Sequence, residues 1–244
     1  MVIVIFFIAH WYLCLFCQTF FQHRYAAHKM FSMSPFWEKV FYVVSFIFQG
    51  SSFLSPRAYG ILHRMHHAYA DTEDDPHSPS YDSNLFSMMW RTKTIYNGIL
   101  TNDLEIDEKF KKGVPNWTFM ESFADHYLTR VGWMTLYTLF YIAFAPHWAF
   151  FFLLPIHFFM GPIQGAIINW FAHRVGYINF RMKDTSRNLV PLDLIMLGES
   201  YHNNHHRYSS RANFGVKWFE LDPVYYIILG LNAFGIIRLK KQPA

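Results

Sequence analysis

Two long stretches of this chain carry no charged side chain: residues 1–22 and 131–173 contain no Asp, Glu, Lys or Arg. A membrane-spanning helix needs about 20 mostly apolar residues. The first stretch therefore supplies one span at about residues 2–21. The second is long enough for two, at about 131–145 and 148–172, turning at Ala145-Pro146-His147. Composition agrees, with 52% hydrophobic and 20% aromatic residues against a lower soluble average. The mean hydropathy is only +0.08, so apolar spans must alternate with substantial water-facing segments. The first stretch lacks a basic leader and a small-residue cleavage pattern, which reads as a retained anchor and not a signal peptide.

Residues 41–55, FYVVSFIFQGSSFLS, are apolar but short for a span. They are expected to form a re-entrant or interfacial helix broken at Gly50, Ser51 and Ser52. With three spans, all 21 basic residues fall in residues 22–130 and 173–244, which share one face. Cytoplasmic loops are enriched in Lys and Arg, so that face is expected to be cytoplasmic and the N-terminus outside. The expected architecture is a single all-α membrane domain over residues 1–244: about three spanning helices, one re-entrant helix and a cytoplasmic helical cap. Cys14 and Cys17 in the apolar run YLCLFC read as buried small side chains, not as a redox pair.

Nine of the fourteen histidines gather in three clusters and a satellite: His23 and His28 in HRYAAH, His63, His66 and His67 in HRMHH, His202, His205 and His206 in HNNHH, and His173 in NWFAH. Imidazole suits iron, copper, nickel and zinc. A zinc site closes with about four ligands, so nine point to two ions sharing one site or to several sites. On a helix, the spacing i, i+3, i+4 in HRMHH and HNNHH puts three rings on one face and aims them at one point. His23 and His28, five apart, miss one face by more than a third of a turn, so one of them is expected where the first helix ends and unwinds. Asn169 and His173, four apart, can face the same site. His10, His147 and His157 read as hydrogen-bonded packing residues. Metal-bound imidazoles usually donate their second nitrogen to a carboxylate or carbonyl. The run Asp71-Thr72-Glu73-Asp74-Asp75, with Asp193 and Glu199, is expected to supply such partners.

Together, HRYAAH, HRMHHAYADTEDDPHSP, NWFAH and GESYHNNHH resemble the membrane-bound fatty acyl desaturases, most closely the acyl-CoA delta-9 type. The resemblance runs from about Phe20 to Phe219. It implies a diiron centre held by the nine histidines, His23, His28, His63, His66, His67, His173, His202, His205 and His206, with Asn169 contributing through a water. The implied reaction is oxygen-dependent removal of two hydrogens from adjacent methylenes of a saturated acyl chain, leaving a cis double bond. The chain departs from the pattern in having Asn169-Trp170 where the family often has Asn-Ser, and in lacking an upstream apolar span. It has no HPGG-type haem-binding segment, so electrons are expected from a separate donor, cytochrome b5-like or ferredoxin-like. The carrier of the acyl chain is expected to be CoA. Its phosphates would meet Arg91 and Lys93 in MMWRTK, although these two can equally anchor a helix at the headgroups. The lipid bilayer is an expected partner and nucleic acid is not. Two alternatives compete: a diiron lipid hydroxylase on the same scaffold, and a metal carrier, which would want its polar groups along the middle of the spans.

Overall fold

The computed structural model describes residues 1–241, so the last three residues of the expected domain lie outside the described residues. Nothing in the first stretch stops a helix, and α1 (Val2–Phe16) runs without interruption into eleven residues of π-helix, Cys17–Ala27. The resulting helix of 26 residues is long and apolar enough to cross a membrane. In a π-helix the hydrogen bonds run i→i+5 and stack residues five apart. The last of these is donated by the His28 N–H to the His23 carbonyl at 3.1 Å. As their spacing suggests, one of the two histidines sits where the first helix ends, although the helix stays wound as far as Ala27. It widens, and His28 forms its cap.

Strand β1 (Phe31–Met33) pairs antiparallel with the C-terminal strand β2 (Ile237–Leu239). Helix α2 (Pro35–Gln49) starts where Ser34 accepts the Trp37 N–H and Pro35 fills the first position. It begins before residue 41, but it breaks where expected, at Gly50 (φ +52°) and a 3-10 turn, Gly50–Ser52. Helix α3 (Pro56–Tyr69), capped by Ser55, carries HRMHH. Helix α4 (Leu85–Thr101) opens with a capping box between Asn84 and Ser87. Short helices α5 (Glu108–Lys111) and α6 (Thr118–Asp125) lead into α7 (Tyr127–Phe144), which ends at the expected turn.

The following stretch is not the straight span expected over 148–172. A 3-10 segment, Trp148–Leu153, leads into α8 (Leu154–Phe158), α9 (Met160–Ala166) and a π-helical turn, Ile167–Phe171, with a 72° bend after Phe158. Pro162 has no N–H to offer the Phe158 carbonyl four residues back. The Ser51 hydroxyl donates to that carbonyl at 3.1 Å, and the Gly161 N–H donates to the Ser52 hydroxyl at 3.1 Å. The break after α2 thus supplies the hydrogen bonds that the break after α8 lacks, so these buried backbone groups are paired. Helices α10 (His202–Arg207) and α11 (Pro223–Ala233) complete the chain.

Among the described residues, Val2–Ala27 alone qualifies as a straight span by length and apolarity, and the bent pair Trp148–Phe171 adds a second if taken as one crossing. Helix α7, with Arg130 in its first turn, does not meet that standard. Arg130 instead donates to the carbonyls of Ser51 (2.6 Å) and Phe53 (3.0 Å) and clamps the base of α7 to the break after α2. Exposed apolar side chains line α1 (Ile5, Ile8) and α7 (Leu136, Leu139, Ile142), a surface suited to lipid.

Gly50 tests the break. A Cβ at this position would stand 1.8 Å from the Tyr137 hydroxyl oxygen, in a backbone conformation that side chains avoid. Gly50→Ala is expected to cost about 2–4 kcal/mol, seen as a lower unfolding midpoint in detergent. Gly132→Ala, whose added Cβ meets nothing within 4 Å, should leave the midpoint unchanged or raise it.

Candidate metal centre

The nine clustered histidines meet, and they do so in two sets. His23, His28, His63, His67 and His205 form one; His66, His173, His202 and His206 form the other, with the ligand atoms within each set lying within 4.8 Å of one another. Each HxxHH motif is split between the two instead of aiming three rings at one point. Neighbouring positions on a helix point about 100° apart. His66 and His67 on α3 therefore look at different centres, as do His205 and His206 on α10.

Arg64, inside HRMHH, locks α3 against the end of the π-helix. It donates to the otherwise free carbonyls of Ala26 (3.0 Å) and Ala27 (2.6 Å), which brings His63 Nε2 within 2.9 Å of His28 Nε2. The two asparagines of HNNHH point away from the metal sets. Asn203 accepts the N–H groups of Asn179 and Phe180, and Asn204 donates to Glu220 and the Phe214 carbonyl, so the short α10 is held by its surrounding loops.

Four carboxylates face ring nitrogens from behind: Glu199 on His23 Nδ1 (2.7 Å), Asp75 on His66 Nδ1 (2.9 Å), Asp71 on His173 Nδ1 (3.4 Å) and Asp184 on His206 Nδ1 (3.4 Å). A carboxylate only accepts, so it keeps the proton on Nδ1 and leaves Nε2 as a bare lone pair. His66 Nε2 and His206 Nε2 nevertheless stand 3.2 Å apart, with Asp75 hydrogen-bonded behind the first ring and Asp184 3.4 Å behind the second. In that tautomer the two rings turn lone pairs, not a donor and an acceptor, toward each other. Two nitrogens bound at right angles to one ion, each at about 2.1 Å, would stand about 3.0 Å apart, and the contacts within the sets run from 2.9 to 3.2 Å. The donor set fits two transition-metal ions, and imidazole with carboxylate support suits iron.

Burial, and then the charge of neighbouring imidazoles, holds His28, His63, His67, His202, His205 and His206 well below the usual imidazole value. These rings are neutral at neutral pH, the form that binds metal. Burial works to raise Asp71 and Asp75, but their contacts with His173 and His66 outweigh it. Both lie below the usual carboxylate range, Asp75 at about 2.

Of the acidic partners expected from sequence, Asp71, Asp75 and Glu199 take that role, while Glu73 and Asp74 are exposed. Asp193 instead accepts the N–H groups of Met196, Gly198 and Ser200 and shapes the loop before α10. Asp184 was not foreseen, because it reaches His206 from a loop that no periodicity marks. A further buried imidazole, His77 in DPHSP, packs on His66 with ring centroids 4.2 Å apart.

Asn169 lies in the π turn before His173, on the wall of a cavity of about 830 Å³ that His23, His63 and His202 also line. Arg91 is engaged by Asp82 (2.8 Å) and the Ser78 carbonyl, whereas Lys93 lies over Trp90 at the cavity wall. His10 and His157 meet Nδ1 to Nδ1 at 2.6 Å, with Tyr141 on His157 at 2.8 Å, so they form a packed polar cluster apart from both metal sets. Cys14 and Cys17 are buried and free.

His205→Ala is expected to lower the metal content of the purified protein, and Asp75→Asn to weaken metal binding about 10–100-fold. His10→Ala should leave metal content unchanged. Metal analysis decides the matter, and a fully loaded His205→Ala protein would contradict the assignment of the five-histidine set.

The fatty acid desaturase family model matches residues 1–235 of this chain. Similar proteins include a delta-9 desaturase-like 4 protein of Arabidopsis thaliana, 30% identical over 93% of this chain and 72% of its own length. A delta-9 acyl-lipid desaturase 1 of the same plant is 28% identical over 91% and 70%. An sn-1 stearoyl-lipid 9-desaturase of Synechocystis is 27% identical over 91% and 66%. With nine imidazoles gathered as two supported sets, and with this match over nearly its whole length, the chain belongs to the fatty acid desaturase family, oxygen-dependent oxidoreductases that act on fatty acyl chains.

Proposed function

We propose that this chain is a delta-9 desaturase acting on a saturated acyl chain attached to a phosphate-bearing carrier, acyl-CoA first among these. The observation that carries the reading is that members of both imidazole sets border one cavity. Its volume of about 830 Å³ lies in the range of small-molecule sites, and its walls include Leu15, Leu54, Leu62 and Ile168. Two irons, held by the five- and four-histidine sets with Asn169 as the tenth group, would supply the oxygen chemistry when bound. In balance, a saturated pair of methylenes gives up two hydrogens. Dioxygen takes these with two further protons and two electrons from a separate cytochrome b5-like or ferredoxin-like donor, and two waters leave.

The chain's own residues provide position. Asp71, Asp75, Asp184 and Glu199 keep the ligand rings in one tautomer and orientation. The apolar walls hold the acyl chain and exclude water. Lys93 meets carrier phosphate at the cavity wall, while Arg91, through Asp82 and the Ser78 carbonyl, ties α4 to the loop after the acidic run and so places Lys93. The spans are α1, α7 and the broken run from Trp148 to Phe171, with the N-terminus outside. This topology is supported by the confinement of all basic residues to residues 22–130 and 173–244, and it puts the site on the cytoplasmic face as part of one domain over 1–244.

Expression in desaturase-deficient cells, followed by gas chromatography of their fatty acids, is expected to show a new cis double bond at the delta-9 position. A hydroxylated lipid with no new double bond would favour the hydroxylase instead. Lys93→Glu is expected to raise KM for acyl-CoA about 3–10-fold with kcat retained. An unchanged KM removes Lys93 from the carrier site.

A further inference from the structure

The segment that leads into α10, residues 188–198, reads NLVPLDLIMLG and holds a single charged residue. That residue is turned inward. Asp193 is 1% exposed, and its carboxylate accepts the N–H groups of Met196 (2.8 Å), Gly198 (2.9 Å) and Ser200 (2.9 Å). Its own N–H donates to the Tyr201 hydroxyl, which donates to the Pro191 carbonyl. The apolar side chains are left outside: Leu192 is 55% exposed, Leu194 49% and Ile195 67%, and Val190 is exposed as well. Single exposed apolar side chains are ordinary, but four on one short loop form a patch that marks a contact surface.

The position of the loop is fixed by the first helix. Trp11 Nε1 donates to the Ile195 carbonyl at 3.1 Å, and Met196 is buried with Leu15, Ile168 and Ala172. On α1 the exposed apolar side chains, Ile5, Ile8, Tyr12 and Leu13, end at Leu13. From Cys14 to Ala27 the helix is enclosed by the rest of the chain, with only Phe16 half-buried. The loop is thus fastened where the outward apolar face of α1 stops. Trp11 stands twelve residues before His23, on the order of 15 Å back along the helix from the metal centre. Leu197 (φ +53°) and Gly198 (φ +96°) turn the chain back toward that centre, and a Cβ on Gly198 would stand 2.7 Å from Asp222 Oδ1.

We infer that residues 190–196 are a membrane-surface anchor: the loop rests on the cytoplasmic leaflet beside α1, its backbone at headgroup level, and Leu192, Leu194 and Ile195 reach among the lipid acyl chains. The inference rests on the reading of α1 as a span with the site on the cytoplasmic face. Lipid is the occupant because the patch adjoins, through Trp11, the edge of an apolar helix face, and Trp and Tyr, here Trp11 and Tyr12, favour the boundary between hydrocarbon and water. Apolar side chains inserted to this shallow depth leave the irregular backbone in the polar layer, where it can be satisfied. Asp193 then has a definite part, closing the loop from inside so that no charge meets the lipid. The loop carries Met196 on the cavity wall and runs directly on into Glu199, which holds His23, and into His202. The anchor thereby ties the imidazole sets and the cavity to the plane of the bilayer.

The test places one nitroxide spin label at a time on the full chain in phosphatidylcholine vesicles and measures its collisions with oxygen, which concentrates in hydrocarbon, and with a water-soluble nickel chelate. The background is Cys14→Ala with Cys17→Ala, and each variant is first checked for unchanged metal content. Ile195→Cys carries the deciding label, with Leu192→Cys as the second variant should the first not fold. Ile8→Cys on α1 and the exposed Glu108→Cys on α5 give the lipid and water references. The Ile195 label is expected to behave as the Ile8 label does, broadened by oxygen, and to lose the nickel broadening seen at Glu108. Nickel broadening at Ile195 equal to that at Glu108 overturns the anchor. Protection from both reagents overturns it too, since that marks a second copy of the chain seated on the loop. With the Ile8 label in lipid, either result removes this inference alone. Nickel access at Ile8 removes the span reading and this inference together.

Discussion

His66 and His206 face each other Nε2 to Nε2 at 3.2 Å, while Asp75 accepts from the Nδ1 of His66 and Asp184 lies 3.4 Å from the Nδ1 of His206. Neutral rings so oriented turn their Nε2 lone pairs toward each other, an arrangement that a cation between them makes favourable. The rest of the fold depends on this constraint. Imidazoles from three helices and one loop are driven together at positions largely buried from water, where burial and neighbouring rings oppose protonation of His28, His63, His67, His202, His205 and His206. Holding them there requires rigid supports: Arg64 on the π-helix end, the two asparagines of HNNHH in their loops, and four carboxylates behind the rings.

The two π-helical stretches, Cys17–Ala27 and Ile167–Phe171, show how local winding creates the site. An α-helix would send His23 and His28 in different directions. The wider winding aligns them and carries Gln18 onto the same line. A π-helix is rare and costs regular hydrogen bonding, and it recurs mainly at functional positions. Here it places both a ligand pair and a cavity wall.

The histidines and Asn169 were legible because residue type and spacing alone single them out, and three of the carboxylates were legible because they sit next to a cluster in sequence. The division of each HxxHH motif into two centres was implicit in the 100° step between adjacent helical positions, but it shows only once the facing helices are in place. Asp184 and the true role of Asp193 depend on loop conformation, for which the sequence carries no period. The α2 break at Gly50 was legible from composition. The 72° bend after Phe158 was not, since Pro155, Gly161 and Pro162 sit in a run whose hydropathy reads as one uninterrupted span.

The two backbone breaks connect the membrane part to the chemistry. Ser51 and Ser52 satisfy the broken helix at Phe158 and Gly161, while Gln49, the last residue before the first break, forms a reciprocal amide pair with Gln22 at 2.8 and 3.0 Å. Gln22 also donates to the Leu54 carbonyl and immediately precedes His23 in the π-helix. Movement of the break after α2 would therefore be felt at the first metal ligand and, through α9, at Gln164 and Asn169. Polar side chains that look out of place in an apolar sequence thus act as fasteners between two interrupted helices, and the cavity wall and the imidazole sets share one frame because those fasteners join them.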